Sequence, residues 1–248
     1  MNKHTAHIIE IFSSLQGEGI YAGEQMTFVR FGRCNMRCVY CDTLEGICHQ
    51  DNMRVETQPA SGNFKNVENP VSATALTNLV QGFDNEFISI TGGEPLEQVD
   101  FLEEWLPSIV PQHRILLETN GILHKELSRV LSFVHVISMD IKLPSSTRCK
   151  PKWTDHTSFL KKAVAAGREI YVKFVVTANT TDADIQKSIG IITKINKFIP
   201  IVIQPATPTL TFHHPISEER LKAVERLCSA YLDDVRVIPQ MHKQWGVL

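Results

Sequence analysis

The chain has 248 residues, a net charge of −2, 43% apolar and 21% charged residues, so it can bury a large core and has no basic excess of the nucleic-acid-binding kind. No apolar run approaches the ~20 residues that cross a bilayer, and the N-terminal residues lack the apolar centre of a secretory signal. Six cysteines, half of them in one cluster, do not form a secreted disulfide framework, so a reducing cytoplasmic setting is expected, with no membrane and no nucleic-acid partner.

Short β-branched and aromatic runs alternate with amphipathic stretches of helical length. A first strand is expected at Thr27–Phe31, followed by a cysteine loop and a polar stretch, about 46–70, read as an inserted loop or short helix. Helical patterns at Ala73–Phe83, Phe101–Val110 and Lys125–Phe133 lead into strands at Phe87–Thr91, Ile115–Glu118 and Val136–Asp140. Three more, Thr157–Ala166, Asp182–Lys197 and Ser217–Asp233, lead into Ile170–Val176, Pro200–Gln204 and Val235–Ile238. Ser217 before Glu218-Glu219 and apolar Leu221 is a capped helix start. This alternation predicts right-handed βαβ units in an α/β fold. The expected architecture is a partial, open parallel β/α barrel of about six βα units, one domain over residues 1–248 with the insertion at about 46–70.

The chemistry centres on Cys34-Asn35-Met36-Arg37-Cys38-Val39-Tyr40-Cys41, a C-x3-C-x2-C loop. Three thiolates at this spacing can ligate three corners of a 4Fe-4S cluster and leave the fourth iron open to a small molecule. The alternative is structural zinc, which wants four N/S ligands, commonly in two pairs. No second pair follows: Cys48 is the nearest further thiol, and Cys149 and Cys228 read as ordinary buried residues. In parallel α/β folds ligands bind at the C-terminal strand ends. Those ends carry Arg30, Thr91-Gly92-Gly93-Glu94-Pro95, Glu118-Thr119-Asn120-Gly121, Ser138-Met139-Asp140-Ile141-Lys142, Lys173 and Gln204-Pro205-Ala206-Thr207. A glycine turn after a strand is ordinarily only a turn, and Asp140 could simply face solvent; the agreement of every strand end on one rim is the informative feature. His213-His214, in a Pro-rich loop, reads as inert.

The cysteine loop with its Gly-Gly-Glu-Pro segment resembles the radical S-adenosylmethionine enzymes. Ile11-Phe12-Ser13-Ser14-Leu15-Gln16-Gly17-Glu18-Gly19, Thr27–Phe31, the Glu118–Gly121 and Val172–Val176 segments and Val237–Lys243 closely resemble the 7-carboxy-7-deazaguanine synthase family, over nearly the whole chain. That resemblance implies a 4Fe-4S cluster on Cys34, Cys38 and Cys41. It implies an S-adenosylmethionine site made by Tyr40, Cys41, Asp42, Gly93, Ser138, Met139, Asp140, Gln204, Pro205, Ala206 and Thr207, and a Mg²⁺ on Thr43. A pterin would be read by Leu15, Gln16, Gly17, Arg30, Thr91, Glu118, His242 and the carboxylate of Leu248. The implied reaction contracts 6-carboxy-5,6,7,8-tetrahydropterin to 7-carboxy-7-deazaguanine with loss of ammonia, through a substrate radical, toward queuosine-type deazapurines. No side chain is assigned a catalytic role. A homodimer and an external electron donor such as flavodoxin or ferredoxin are implied partners. A glycyl-radical activating enzyme would explain the cysteines but not Leu15 to Gly17, Arg30 or His242. A plain iron–sulfur redox module would leave the rim unexplained.

Overall fold

The computed structural model describes residues 4–43 and 50–247. The first part of the chain is almost all strand: β1 (Thr5–Ala6), β2 (Ile8–Leu15), β3 (Gln25–Phe31), β4 (Asn52–Glu56), β5 (Phe64–Glu68) and β6 (Val71–Ser72). Strands and helices then alternate: α1 (Ala73–Val80), β7 (Phe87–Gly92), α2 (Val99–Ile109), β8 (Arg114–Thr119), α3 (His124–Val130) and β9 (Val136–Asp140). After the short α4 (Pro144–Thr147) come α5 (Trp153–Ala165), β10 (Glu169–Val176), α6 (Asp182–Ile195), β11 (Ile201–Pro205), α7 (Glu218–Ser229), β12 (Val235–Val237) and α8 (Met241–Trp245). No helix among the described residues is long and apolar enough to cross a membrane.

One ten-stranded sheet runs β12-β11-β10-β9-β8-β7-β3-β2-β4-β5. Its stretch from β3 to β12 is all parallel, as helical crossovers require. The end strands β12 and β5 do not pair with each other, so the barrel is open, as expected. Val136–Asp140 is buried throughout because each face is covered: Ile137 and Met139 meet the helices, and Val136, Ser138 and Asp140 face the interior of the barrel. One face packs against the helices, where α2 contributes Phe101, Leu102, Trp105, Leu106 and Ile109. The other closes on itself as a floor of Phe12, Phe28, Leu116, Val136, Tyr171 and Val202, with Phe12 and Phe28 stacked at 5.0 Å. Ser72, Thr181 and Ser217 cap α1, α6 and α7 through their hydroxyls.

Two parts of the N-terminal third differ from expectation. The stretch read as a loop or short helix is, from residue 52 on, the antiparallel hairpin β4–β5, which extends the main sheet beside β2. Its turn is organised by the buried Glu56 carboxylate, which accepts from the backbone N–H of Ser13 (2.9 Å), Ala60 (3.2 Å) and Gly62 (2.7 Å). The first half of the Ile11–Gly19 motif, for which no strand was expected, belongs to β2, which starts at Ile8 and runs antiparallel to β3.

Candidate active site

Above the aromatic floor, the C-terminal strand ends enclose a cleft of ≈ 680 Å³. Cys34, Cys38, Tyr40, Cys41, Asp42 and Thr43 reach it from the loop after β3. Thr91, Gly93, Glu118, Ser138, Asp140, Gln204, Ala206 and Thr207 line it from successive strand ends, and Leu15, Gln16, Gly17, Arg30 and His242 from the opposite wall. Two expected residues turn away. Met139 sits between Ser138 and Asp140, and strand side chains alternate faces, so its side chain packs fully buried on the helix side. Pro205 is excluded from the cleft by the same alternation between Gln204 and Ala206. Leu248 and Cys48 lie outside the described residues.

The cysteine loop is fixed by its own backbone. The Met36 N–H points at Cys34 Sγ (3.4 Å), the Cys41 N–H donates to Cys38 O (3.1 Å), and the Val39 N–H donates to Thr147 O (3.2 Å). All three thiols are half-buried; burial raises the Cys34 thiol and pushes that of Cys38 up to about 12, as it does the buried Cys228. No three His, Cys, Asp or Glu side chains among the described residues converge on the position of a single ion. A cubane needs its thiolates spread around its corners, and these three line one wall of the cleft.

Gly92 and Gly93 let the rim touch that loop. A Cβ on Gly93 would lie 1.8 Å from Arg33 O and 3.1 Å from Cys34 Cβ, and Gly92 has φ 132°. Glu94 does not face the cleft. Its buried carboxylate accepts from the Thr119 hydroxyl (2.9 and 3.0 Å) and from the N–H groups of Asn120 (2.8 Å) and Leu96 (3.1 Å). Burial nevertheless pushes it up to about 7. Asn120 Nδ2 donates in turn to Asn35 Oδ1 (2.6 Å), so three expected motifs form one braced unit.

A chain of charges crosses the cleft. Lys142 pairs with Asp140 (2.7 Å), and Lys173, buried inside β10, pairs with Glu18 and lies 4.0 Å from Asp140. Gln240 Nε2 donates to Glu18 Oε1 and Asp42 Oδ2, both at 2.8 Å, and Lys243 contacts Asp42 (3.1 Å). Burial alone would raise the Asp42 carboxyl; the Gln240 hydrogen bond and the Lys243 ammonium outweigh it and bring it down to about 2. Asp140 Oδ1 and Gln204 Oε1 are buried with no hydrogen-bond partner among the described residues, in positions where a polar ligand of the cleft would satisfy them. On the opposite wall, Glu118 accepts from Gln16 Nε2 (3.1 Å) and Ser89 Oγ (2.7 Å). The Met241 N–H donates to Gly17 O (2.8 Å), seating α8 and His242 against the cleft.

Glu10, Glu18, Lys142, Lys173, Gln240 and Lys243 also line the cleft and were not singled out for ligand binding from the sequence. Lys173 had a legible signal, a charge inside the apolar run Ile170–Val176. Gln240 had none, since its partner Glu18 is 222 residues away.

An open parallel barrel with a three-cysteine loop and a glycine rim defines the radical S-adenosylmethionine class, and residues 28–192 match the family described as the Radical SAM superfamily. Over its full length the chain is 39% identical to the 7-carboxy-7-deazaguanine synthase of Geobacter sulfurreducens, with both chains wholly covered. It is 32% identical to that of Methanothermobacter thermautotrophicus, with 98% of each chain covered. The fold matches QueE from Escherichia coli with a TM-score of 0.60 at 18% identity, covering 96% of this chain and 95% of that one. The chain therefore belongs to the radical SAM superfamily and, within it, to the family of 7-carboxy-7-deazaguanine synthases.

Proposed function

We propose that this enzyme contracts 6-carboxy-5,6,7,8-tetrahydropterin to 7-carboxy-7-deazaguanine, releasing ammonia, with Mg²⁺ assistance. The observation that supports this most is the pairing of two unlike walls in one cleft. The cysteine loop, Gly93 and the unpartnered Asp140 and Gln204 oxygens suit a cluster and S-adenosylmethionine; Arg30, Glu118 and His242 suit a carboxylated, hydrogen-bond-rich pterin.

Cys34, Cys38 and Cys41 would hold the cluster, and with S-adenosylmethionine bound it supplies a carbon-centred radical from one-electron cleavage of the sulfonium. Around it the protein orients and encloses. Asp140 and Gln204 would take polar groups of the cofactor, and Lys142 and Lys173 hold the other Asp140 oxygen at 2.7 and 4.0 Å. The Arg30 guanidinium would take the pterin carboxylate as a two-pronged donor, and Glu118 would accept from the pterin N–H edge. The Thr43 hydroxyl, 3.3 Å from Asp42 Oδ1 at the cleft edge, would offer an oxygen ligand to Mg²⁺ shared with that carboxylate. α8, whose His242 and Lys243 line the cleft, would help to enclose the pterin. Reduction by a flavodoxin or ferredoxin, a homodimeric assembly and a cytoplasmic location complete the proposal.

The test is anaerobic incubation of reconstituted, reduced protein with S-adenosylmethionine and the carboxypterin, read by product mass. The mass of 7-carboxy-7-deazaguanine is expected. Unchanged pterin alongside cleaved S-adenosylmethionine would point to another substrate.

A further inference from the structure

The hairpin β4–β5 adds two strands to the sheet beside β2, and one row of side chains links it to the cleft. In register across four neighbouring strands stand Arg54 on β4, Glu10 on β2, Arg30 on β3 and Thr91 on β7. Glu10 Oε1 accepts from Arg30 Nε at 2.8 Å, and Oε2 accepts from Arg54 Nη2 at 2.5 Å. The Arg54 guanidinium also lies over the Phe64 ring, 4.7 Å from its centroid, so both hairpin strands hold it.

Glu10 occupies this row because of a bulge. Ile8 pairs with Phe31 and Glu10 with Arg30, leaving Ile9 as an extra residue. Ile8 packs with Phe31 in the helix-side core, whereas Ile9, Glu10 and Phe12 line the cleft. In an unbroken strand residues two apart share a face, so Glu10 would point with Ile8 into the apolar layer. The bulge moves it to the cleft face, a recognised way of re-aiming a side chain.

A carboxylate beside an anion-binding arginine is a liability unless it is itself neutralised. Arg30 bonded to Glu10 alone would form a neutral pair; with Arg54 the row carries a net positive charge. Glu10 takes Arg30 Nε, and Arg30 lines the cleft, so the two terminal nitrogens are the donors left for a carboxylate. We propose that Glu10 and Arg54 are positioning residues that orient and charge-balance Arg30 for the carboxylate of the substrate, and that the hairpin is thereby a specificity element for carboxylated ligands. The inference rests on the reading of Arg30 as the carboxylate-binding residue.

The test is titration calorimetry of reconstituted holoenzyme, parent and variant, with 7-carboxy-7-deazaguanine and, as the uncharged comparison, 7-deazaguanine. Arg30→Ala tests the underlying reading: it should weaken the carboxylated ligand roughly a hundredfold and the uncharged one little. If it discriminates between neither, that reading fails. Given discrimination by Arg30→Ala, Arg54→Gln should weaken only the carboxylated ligand, about fivefold, and less so in high salt because Arg54 is half-exposed. Glu10→Ala should weaken it roughly tenfold, and Glu10→Ala with Arg54→Gln no further, since Arg54 acts through Glu10. Arg54→Lys keeps the charge and should recover most of the loss. Parent-like affinity in Arg54→Gln, an additive double variant, or equal loss for both ligands would overturn the proposal.

Discussion

A methyl group on Gly17 should damage pterin binding while sparing the fold. Its Cβ would lie 2.3 Å from His242 Nδ1 and 2.5 Å from His242 Cβ. Carbon contacts settle near ~3.5–4.0 Å, so His242 must retreat by more than about 1 Å. The Met241 N–H is bonded to Gly17 O, so α8 cannot move away without losing that anchor or dragging Gln240 and Lys243 with it. The backbone at Gly17 is not left-handed and the clash falls on one tail side chain, not on the core, so Tm should stay within a few degrees. Burial lowers the pKa of the His242 imidazole, so its bond to the pterin is a neutral one worth about 0.5–1.5 kcal/mol, and KM for the pterin should rise roughly 2- to 10-fold. KM for S-adenosylmethionine, bound on the opposite wall, should change by less than about twofold. Steady-state kinetics with each ligand varied in turn reads both, and Gly17→Ala combined with His242→Gly, which removes the clashing Cβ, should behave like His242→Gly alone. Parent-like KM for the pterin in Gly17→Ala would refute the role assigned to α8.

The remaining predictions concern the loop, the rim and the packing behind it. Alanine at Cys34, Cys38 or Cys41 should each abolish the ~400 nm absorbance of the reconstituted protein, since each is one of three protein ligands, while Cys149→Ala and Cys228→Ala should keep it. Retention of a full cluster in any of the first three would remove that cysteine from the ligand set. Gly93→Ala forces a methyl group 1.8 Å from Arg33 O, in conflict with the bond from the Glu94 N–H to that same carbonyl (2.8 Å). Overpacking plus one lost hydrogen bond costs about 2–4 kcal/mol, so scanning calorimetry should show Tm lower by roughly 5–15 °C, and an unshifted Tm would contradict the close approach. Burial holds His156 neutral, bringing its pKa down from 6.5 to about 4. Its contribution to stability is full above pH 6.5 and is lost as pH falls toward 4, by about 1.4 kcal/mol per pH unit. The difference in unfolding free energy between parent and His156→Gln should shrink over that window in denaturant titrations; a pH-independent difference would refute the neutral assignment.

The parallel half of the sheet was legible because strands covered on both faces read as largely apolar runs, as in Ile170–Val176, broken only by Lys173, and in Val136–Asp140, where Ser138 and Asp140 mark the cleft face. β2 was hidden by its own bulge: with an extra residue at Ile9, Ile8, Ile9, Ile11 and Phe12 are all apolar and the period of two is lost. The hairpin was hidden by exposure, since β5 lies at the sheet edge with mostly solvated side chains. In the site, motif segments located the rim, but taking Ser138 to Asp140 and Gln204 to Thr207 as unbroken runs ignored strand alternation and swept in Met139 and Pro205. Glu94 shows the opposite error of emphasis. Its motif suggested contact with a ligand, and its carboxylate instead braces the Thr119–Asn120 turn from behind. The bond of Gln240 to Glu18, formed only when the tail folds back over the cleft, left no local pattern to read.

In the proposed reaction the hydrogen taken from the carboxypterin is returned, so that S-adenosylmethionine is regenerated and acts as a reusable cofactor. The most direct measurement is anaerobic turnover of the reduced enzyme with limiting S-adenosylmethionine and excess 6-carboxy-5,6,7,8-tetrahydropterin, quantifying deazaguanine product, ammonia and 5′-deoxyadenosine together. The account predicts product and ammonia in equal amounts, both in molar excess over the S-adenosylmethionine supplied. Accumulation of 5′-deoxyadenosine with no 7-carboxy-7-deazaguanine would contradict it.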